Sequence, residues 1–127
     1  MDTRTEEIVK HFTESWIQTQ SHYESLIDSG PEFNLLIPIY NFIRKLKKAR
    51  EDKFFRLGTS IHDLIISRSV ESKLRPDQKY IKIKAMDRSF VVTLRDGIKM
   101  YKEYTIKDLE DERLTGLLQT LKSTLVD

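Results

Sequence analysis

The sequence predicts an α+β domain: an antiparallel sheet with a C-terminal three-strand meander, covered by an N-terminal helical hairpin and a C-terminal helix, in the order α-α-β-α-β-β-β-α. Three observations carry this expectation. Residues 79–106 hold three strand-like runs on very short connections, and Ile81 and Ile83 alternate with Tyr80, Lys82 and Lys84 as a strand with one wet face requires. Asp96-Gly97 between two such runs is a hairpin signal, because a type I′ turn needs positive φ at both central residues. Residues 5–28 carry Ile8, Val9, Phe12, Trp16, Tyr23, Leu26 and Ile27 at three- and four-residue steps, one apolar helical stripe.

Taken in order, Thr5 is the expected N-cap of the first helix, with Glu6 and Glu7 at the positive end of its dipole. Gly30-Pro31 ends that helix and opens the next, which lies between Pro31 and Asp52 and bears Leu36, Ile39, Tyr40, Ile43 and Leu46 as its stripe. Pro38 either kinks this helix or starts it; a kink is the expectation. Residues 54–58 read as a short strand with Phe55 and Leu57 inward. Ser60-Ile61-His62-Asp63 fits a capping box ahead of a helix reaching about Lys73, although the β-branched Ile65 and Ile66 keep a strand as the alternative. Residues 107–125 form the last helix, with acids crowding its first turns and Leu114, Leu117, Leu118, Leu121 and Leu125 as its stripe; Gly116 in that stripe would permit close packing on the sheet.

Composition bounds the function classes. At 127 residues the chain reads as one domain spanning 1–127, with 39% hydrophobic and 33% charged residues, as a folded soluble protein has. It has no cysteine, which removes disulfides, thiolate metal sites and cysteine nucleophiles. The N-terminus is acidic and polar, and the apolar run Leu35–Ile43 is too short for a bilayer, so the expectation is a cytoplasmic protein with no membrane partner. The net charge of +2 is uneven: −5 over residues 1–33, +10 over 34–107 and −3 over 108–127. A basic middle between acidic ends bears on partners, and it is equally compatible with internal neutralisation.

Four groups of residues are candidate sites. Arg44, Lys45 and Lys48, within seven cations between residues 44 and 56, could contact phosphates; Lys47–Glu51 and Lys48–Asp52 at i,i+4 spacing would instead make them a solvated helix end. Tyr80, Lys82, Lys84, Lys99 and Tyr101 would share the wet face of the meander, basic and aromatic as a polyanion surface requires, but without an RNP-type motif. Arg56, Gly58, Thr59 and Ser60 lead into the expected third helix, whose N-terminal amides would suit an anion. Tyr40 and Phe42 are interface candidates, because Phe33, Leu35, Leu36, Ile37, Ile39, Tyr40, Phe42 and Ile43 place apolar residues almost all round the second helix.

No metal or cofactor motif is visible: His11 and His22 are three helical turns apart, and Ser60, His62 and Asp63 lack a nucleophile elbow. The leading expectation is a non-enzymatic cytosolic binding module for a protein partner, of the kind inhibitor and immunity proteins exemplify, with a homodimer as one form. The alternatives are a nucleic-acid-binding or regulatory protein using the basic middle, and a small enzyme with a site around Gly58–Asp63.

Overall fold

Alternating apolar residues build the sheet. In the computed structural model, which describes residues 3–70, 78–96 and 99–124, five strands run β1 (Arg56–Ser60), β2 (Asp63–Ser67), β3 (Lys79–Ala85), β4 (Phe90–Asp96) and β5 (Lys99–Ile106). They lie in sequential order, every neighbour antiparallel. Register stacks Leu57, Ile66, Ile81 and Leu94 into one row and Leu64, Ile83 and Val92 into the next, and all seven are buried. These rows define the inner face of the sheet.

Three helices cover that face. Helix α1 (Thr3–Ser29) already includes Thr3, so Thr5 lies inside it rather than at its cap. It buries Phe12, Trp16 and Tyr23 from the predicted stripe. A 3-10 turn at Pro31–Leu36 then leads into α2 (Ile37–Lys48), with Pro38 in the first helical turn. Pro38 therefore starts the helix and does not kink it: the ring needs no N–H at that position, and its fixed φ is already helical. Helix α3 (Glu112–Lys122) starts five residues later than the sequence suggests, where the Asp111 carboxylate accepts from the Arg113 N–H at 2.9 Å. It buries Leu114, Leu117 and Leu121, while Gly116 is exposed with open space around it and makes no close approach to the sheet.

The helix expected after Ser60 is absent. Ser60 ends β1 opposite Asp63, residues 61 and 62 form a two-residue turn, and Leu64, Ile65 and Ile66 continue as β2. The capping-box spacing is real, but it is outweighed by Leu64 and Ile66, which complete the two inner-face rows with about 1.5–3 kcal/mol of burial each. Asp96 and Lys99 face one another across the β4–β5 connection, whose Gly97 turn lies outside the described residues.

Helix α1 also closes one edge of the sheet. The indole N–H of Trp16 donates to the Phe55 carbonyl at 2.7 Å, and the Leu57 N–H donates to Ser15 Oγ at 3.0 Å. Two main-chain groups at and just before β1 that would otherwise invite another strand are thus satisfied by helix side chains.

Candidate functional site

The sheet separates the two halves of the expected basic surface. Helix α2 shares a core with the inner face through Ile39, Phe42 and Ile43, so Arg44, Lys45 and Lys48 emerge on that side. Tyr80, Lys82 and Lys84 alternate with the inward Ile81 and Ile83 and therefore lie on the outer face. Polyanion contacts from both groups cannot form one surface.

The outer face is itself less basic than expected. The register slips between Leu94 and Arg95, so that Leu94 faces Lys102 while Arg95 faces Met100. One extra residue in β5 turns Lys99, opposite Asp96, to the side of Leu94 rather than of Lys82. Tyr101 falls at the slip, and its side chain lies outside the described residues. Lys82 Nζ is 3.4 Å from Asp63 Oδ2, Glu103 sits in the same cross-strand row as Lys82, and the intervening Ile65 and Thr93 are buried.

The anion loop disappears with the third helix. Gly58 lies in mid-strand opposite Ile65, Thr59 and Ser60 are exposed at the end of β1, and no helix N-terminus follows. Arg56 donates to the Val70 carbonyl, which fixes it across the β1–β2 pair. Phe42, offered as an interface residue, is core, and Tyr40 is half-buried with its hydroxyl donating to Glu24 Oε1 at 2.6 Å.

The apolar surplus of the second helical segment nonetheless reaches the surface, one turn earlier than Tyr40. Leu35 is 44% and Ile37 37% exposed. Leu35 lines a groove of about 440 Å³ with Phe33, Leu36, Ile61, His62 and Ala85, and Glu32, Asp63 and Lys84 lie around it. Beside the groove stands Ile61 at the β1–β2 turn, 84% exposed, with φ of 60°. His62 has no positive φ, so the turn has the type II′ sign pattern, whose first central position belongs to glycine.

The turn is held firmly. Tyr23 OH donates to the His62 carbonyl at 2.9 Å, and the His62 ring packs edge-on to Phe33 at 5.4 Å between centroids. The His22 ring centroid lies 6.4 Å from that of His62, whose Nδ1 is buried without a hydrogen-bond partner. Sequence reasoning missed Ile61 because neither central position of the turn, Ile61 or His62, holds the glycine, asparagine or proline that marks a tight turn.

Burial, and secondarily the Asp63 carboxylate, push the Tyr23 phenol well above its ordinary value of 10. The folded protein keeps this proton where the unfolded chain releases it, so the stabilisation is complete below pH 10 and is lost as the pH rises beyond it. Tyr23→Phe is expected to cost about 1–2 kcal/mol at neutral pH, by leaving the His62 carbonyl unsatisfied. Its deficit against wild type should shrink above roughly pH 10 in urea titrations. Parallel decline of the two proteins would show that Tyr23 does not titrate in this way.

Among the described residues no helix is long and apolar enough to cross a membrane. No protein-family model matches the chain, and no curated protein or solved structure matches it significantly.

Proposed function

We propose that this chain is a non-enzymatic, cytosolic interaction module that docks a protein partner at the β1–β2 turn and the adjoining groove. The observation that carries this reading is Ile61. A β-branched residue at positive φ is a conformational outlier, and at 84% exposure its side chain returns almost nothing to the fold. Glycine would serve the turn better. A rigidly mounted apolar knob beside a preformed apolar groove is what a binding hot spot needs, since neither has to be ordered when the partner arrives. Glu32 and Lys84 at the rim supply charges of both signs for orientation.

The test is comparative. Immobilised wild type and Leu35→Asp should differ in capture of one protein from a lysate of the source cells by roughly 30-fold or more, the loss expected of a hot-spot residue. Ile17→Asp, at a more exposed apolar position on α1, should capture as wild type does. Capture unaffected by Leu35→Asp, or abolished equally by Ile17→Asp, contradicts docking at this end. Should the captured protein be a second copy of the chain, sedimentation will show a dimer that Leu35→Asp dissociates.

A further inference from the structure

We propose that a second, independent site, the groove between α1 and the C-terminal half of α2, binds the sugar-phosphate backbone of single-stranded nucleic acid. The groove has a volume of about 540 Å³ and is lined by Gln20, Asn41, Arg44, Lys45, Lys47 and Lys48, four cations and two amides with no acid. The i,i+4 pairs that would neutralise it do not form. Helix α2 stops at Lys48, and Arg50 turns left-handed with φ of 63°, carrying Glu51 and Asp52 into a separate 3-10 turn. Glu51 Oε2 is then 2.7 Å from Lys122 Nζ, and Asp52 Oδ1 is 3.5 Å from Arg50 Nε.

The other nearby acids are engaged as well. Glu24 accepts from Tyr40 OH at 2.6 Å, whereas Glu110 pairs with Lys45 at 2.8 Å and so occupies one of the four lining cations. Lys47 and Lys48 are left without an acidic partner among the described residues. Gln20 Nε2 donates to Glu24 Oε1 at 3.4 Å, so the contacts to phosphate fall to the cations of the groove.

Shape selects the ligand. Arg44 and Lys48 are one helical turn apart, about 6 Å along the axis, comparable with the step between phosphates of an extended strand. The Arg44 guanidinium carbon lies 5.7 Å from the centroid of the Tyr40 ring, within cation–π range, so an aromatic face stands beside the cations for a base to stack on. A small anion would gain little in so open a groove, whereas a polyanion releases counterions at each phosphate it brings in. A bilayer surface fits less well, because none of the lining side chains is apolar and the surface is concave.

The experiment measures fluorescence anisotropy of a labelled oligodeoxythymidine against the full chain, over roughly 50–200 mM salt. Log affinity should fall against log salt with a slope of about −2, as about three neutralised phosphates of a single strand require. Lys47→Gln/Lys48→Gln should weaken binding and flatten that slope by about 1.4, or about 0.7 per phosphate. Lys82→Gln/Arg95→Gln makes the same charge change on the outer sheet face and should bind as wild type does. Arg44→Gln provides a second reading of the groove should the α2 double variant lose its native circular dichroism. The proposal fails if the oligonucleotide does not bind at the lowest salt, if binding ignores salt, or if both double variants weaken it equally. It fails too if a duplex, or vesicles of anionic phospholipid, bind more tightly than the single strand.

Discussion

Trp16→Ala should remove about 3–5 kcal/mol of stability, a large part of the 5–15 kcal/mol that holds a domain of this size together. Trp16 is fully buried and is the largest side chain in the core. Its loss leaves a cavity between α1 and the sheet and also strips the Phe55 carbonyl of the 2.7 Å bond from the indole. The two contributions separate in Trp16→Phe, which fills most of the volume yet cannot donate. That variant should lose about 1–3 kcal/mol, mainly from the orphaned carbonyl. Urea titration followed by far-UV circular dichroism is the appropriate measurement, because Trp16 is the only tryptophan and fluorescence vanishes with it. A larger effect follows for solubility: with α1 loosened, β1 becomes an open edge, and Trp16→Ala should associate where wild type stays dispersed. If Trp16→Ala unfolds within about 1 kcal/mol of wild type, α1 is not the clasp that the Trp16–Phe55 and Ser15–Leu57 bonds make it.

Ile61→Gly should raise stability while removing partner binding, two effects of opposite sign from one substitution. The left-handed conformation costs an L-residue roughly 1–2 kcal/mol, and glycine is free of that cost, although its more flexible unfolded state returns about half of the gain. The net expectation is about 0.5–1 kcal/mol of added stability, read as a higher urea midpoint at an unchanged slope. Nothing in the core is disturbed, since the Ile61 side chain is 84% exposed and the Tyr23–His62 bond uses a main-chain carbonyl. On binding, the same variant deletes the knob and should reduce partner affinity at least 30-fold, or about 2 kcal/mol. Ile61→Asn provides a control for conformation, because asparagine tolerates positive φ but is polar; it too should gain stability and lose the partner. Lower stability in both variants would mean that the isoleucine packs in the fold after all. Higher stability with intact binding would place the docking surface elsewhere.

Such a trade between stability and binding shows where local sequence information stops. The meander was legible because Ile81 and Ile83 alternate with Tyr80, Lys82 and Lys84 and short connections join the runs of residues 79–106, and a residue on one face of a sheet announces itself by what alternates with it. Helix α1 was legible for the corresponding reason at the helical period. Residues 60–67 were misread because two local signals conflicted. The Ser60–Asp63 spacing favours a capped helix, whereas Leu64 and Ile66 find their partners only in Leu57, Ile81 and Ile83, residues that adjoin them only after folding.

The sites divide along the same line. Composition and spacing by themselves determined an α+β chain, three of the four helices they suggest, the core faces of α1 and β3, the cationic end of α2 and the apolar surplus of residues 33–43. Tertiary structure alone decided which of these meet. A single-residue slip in β5 put Lys99 on the opposite face from Lys82, because side-chain direction reverses at every residue of a strand and one insertion inverts all that precede it. The left-handed Arg50 carried Glu51 away from Lys47 to Lys122, seventy-one positions along the chain, and so left the end of α2 basic. Charge and apolarity are properties of residues, but a binding surface is a property of neighbours, and in this protein the neighbours of Lys47 and Ile61 are set by backbone turns that carry no glycine to announce them.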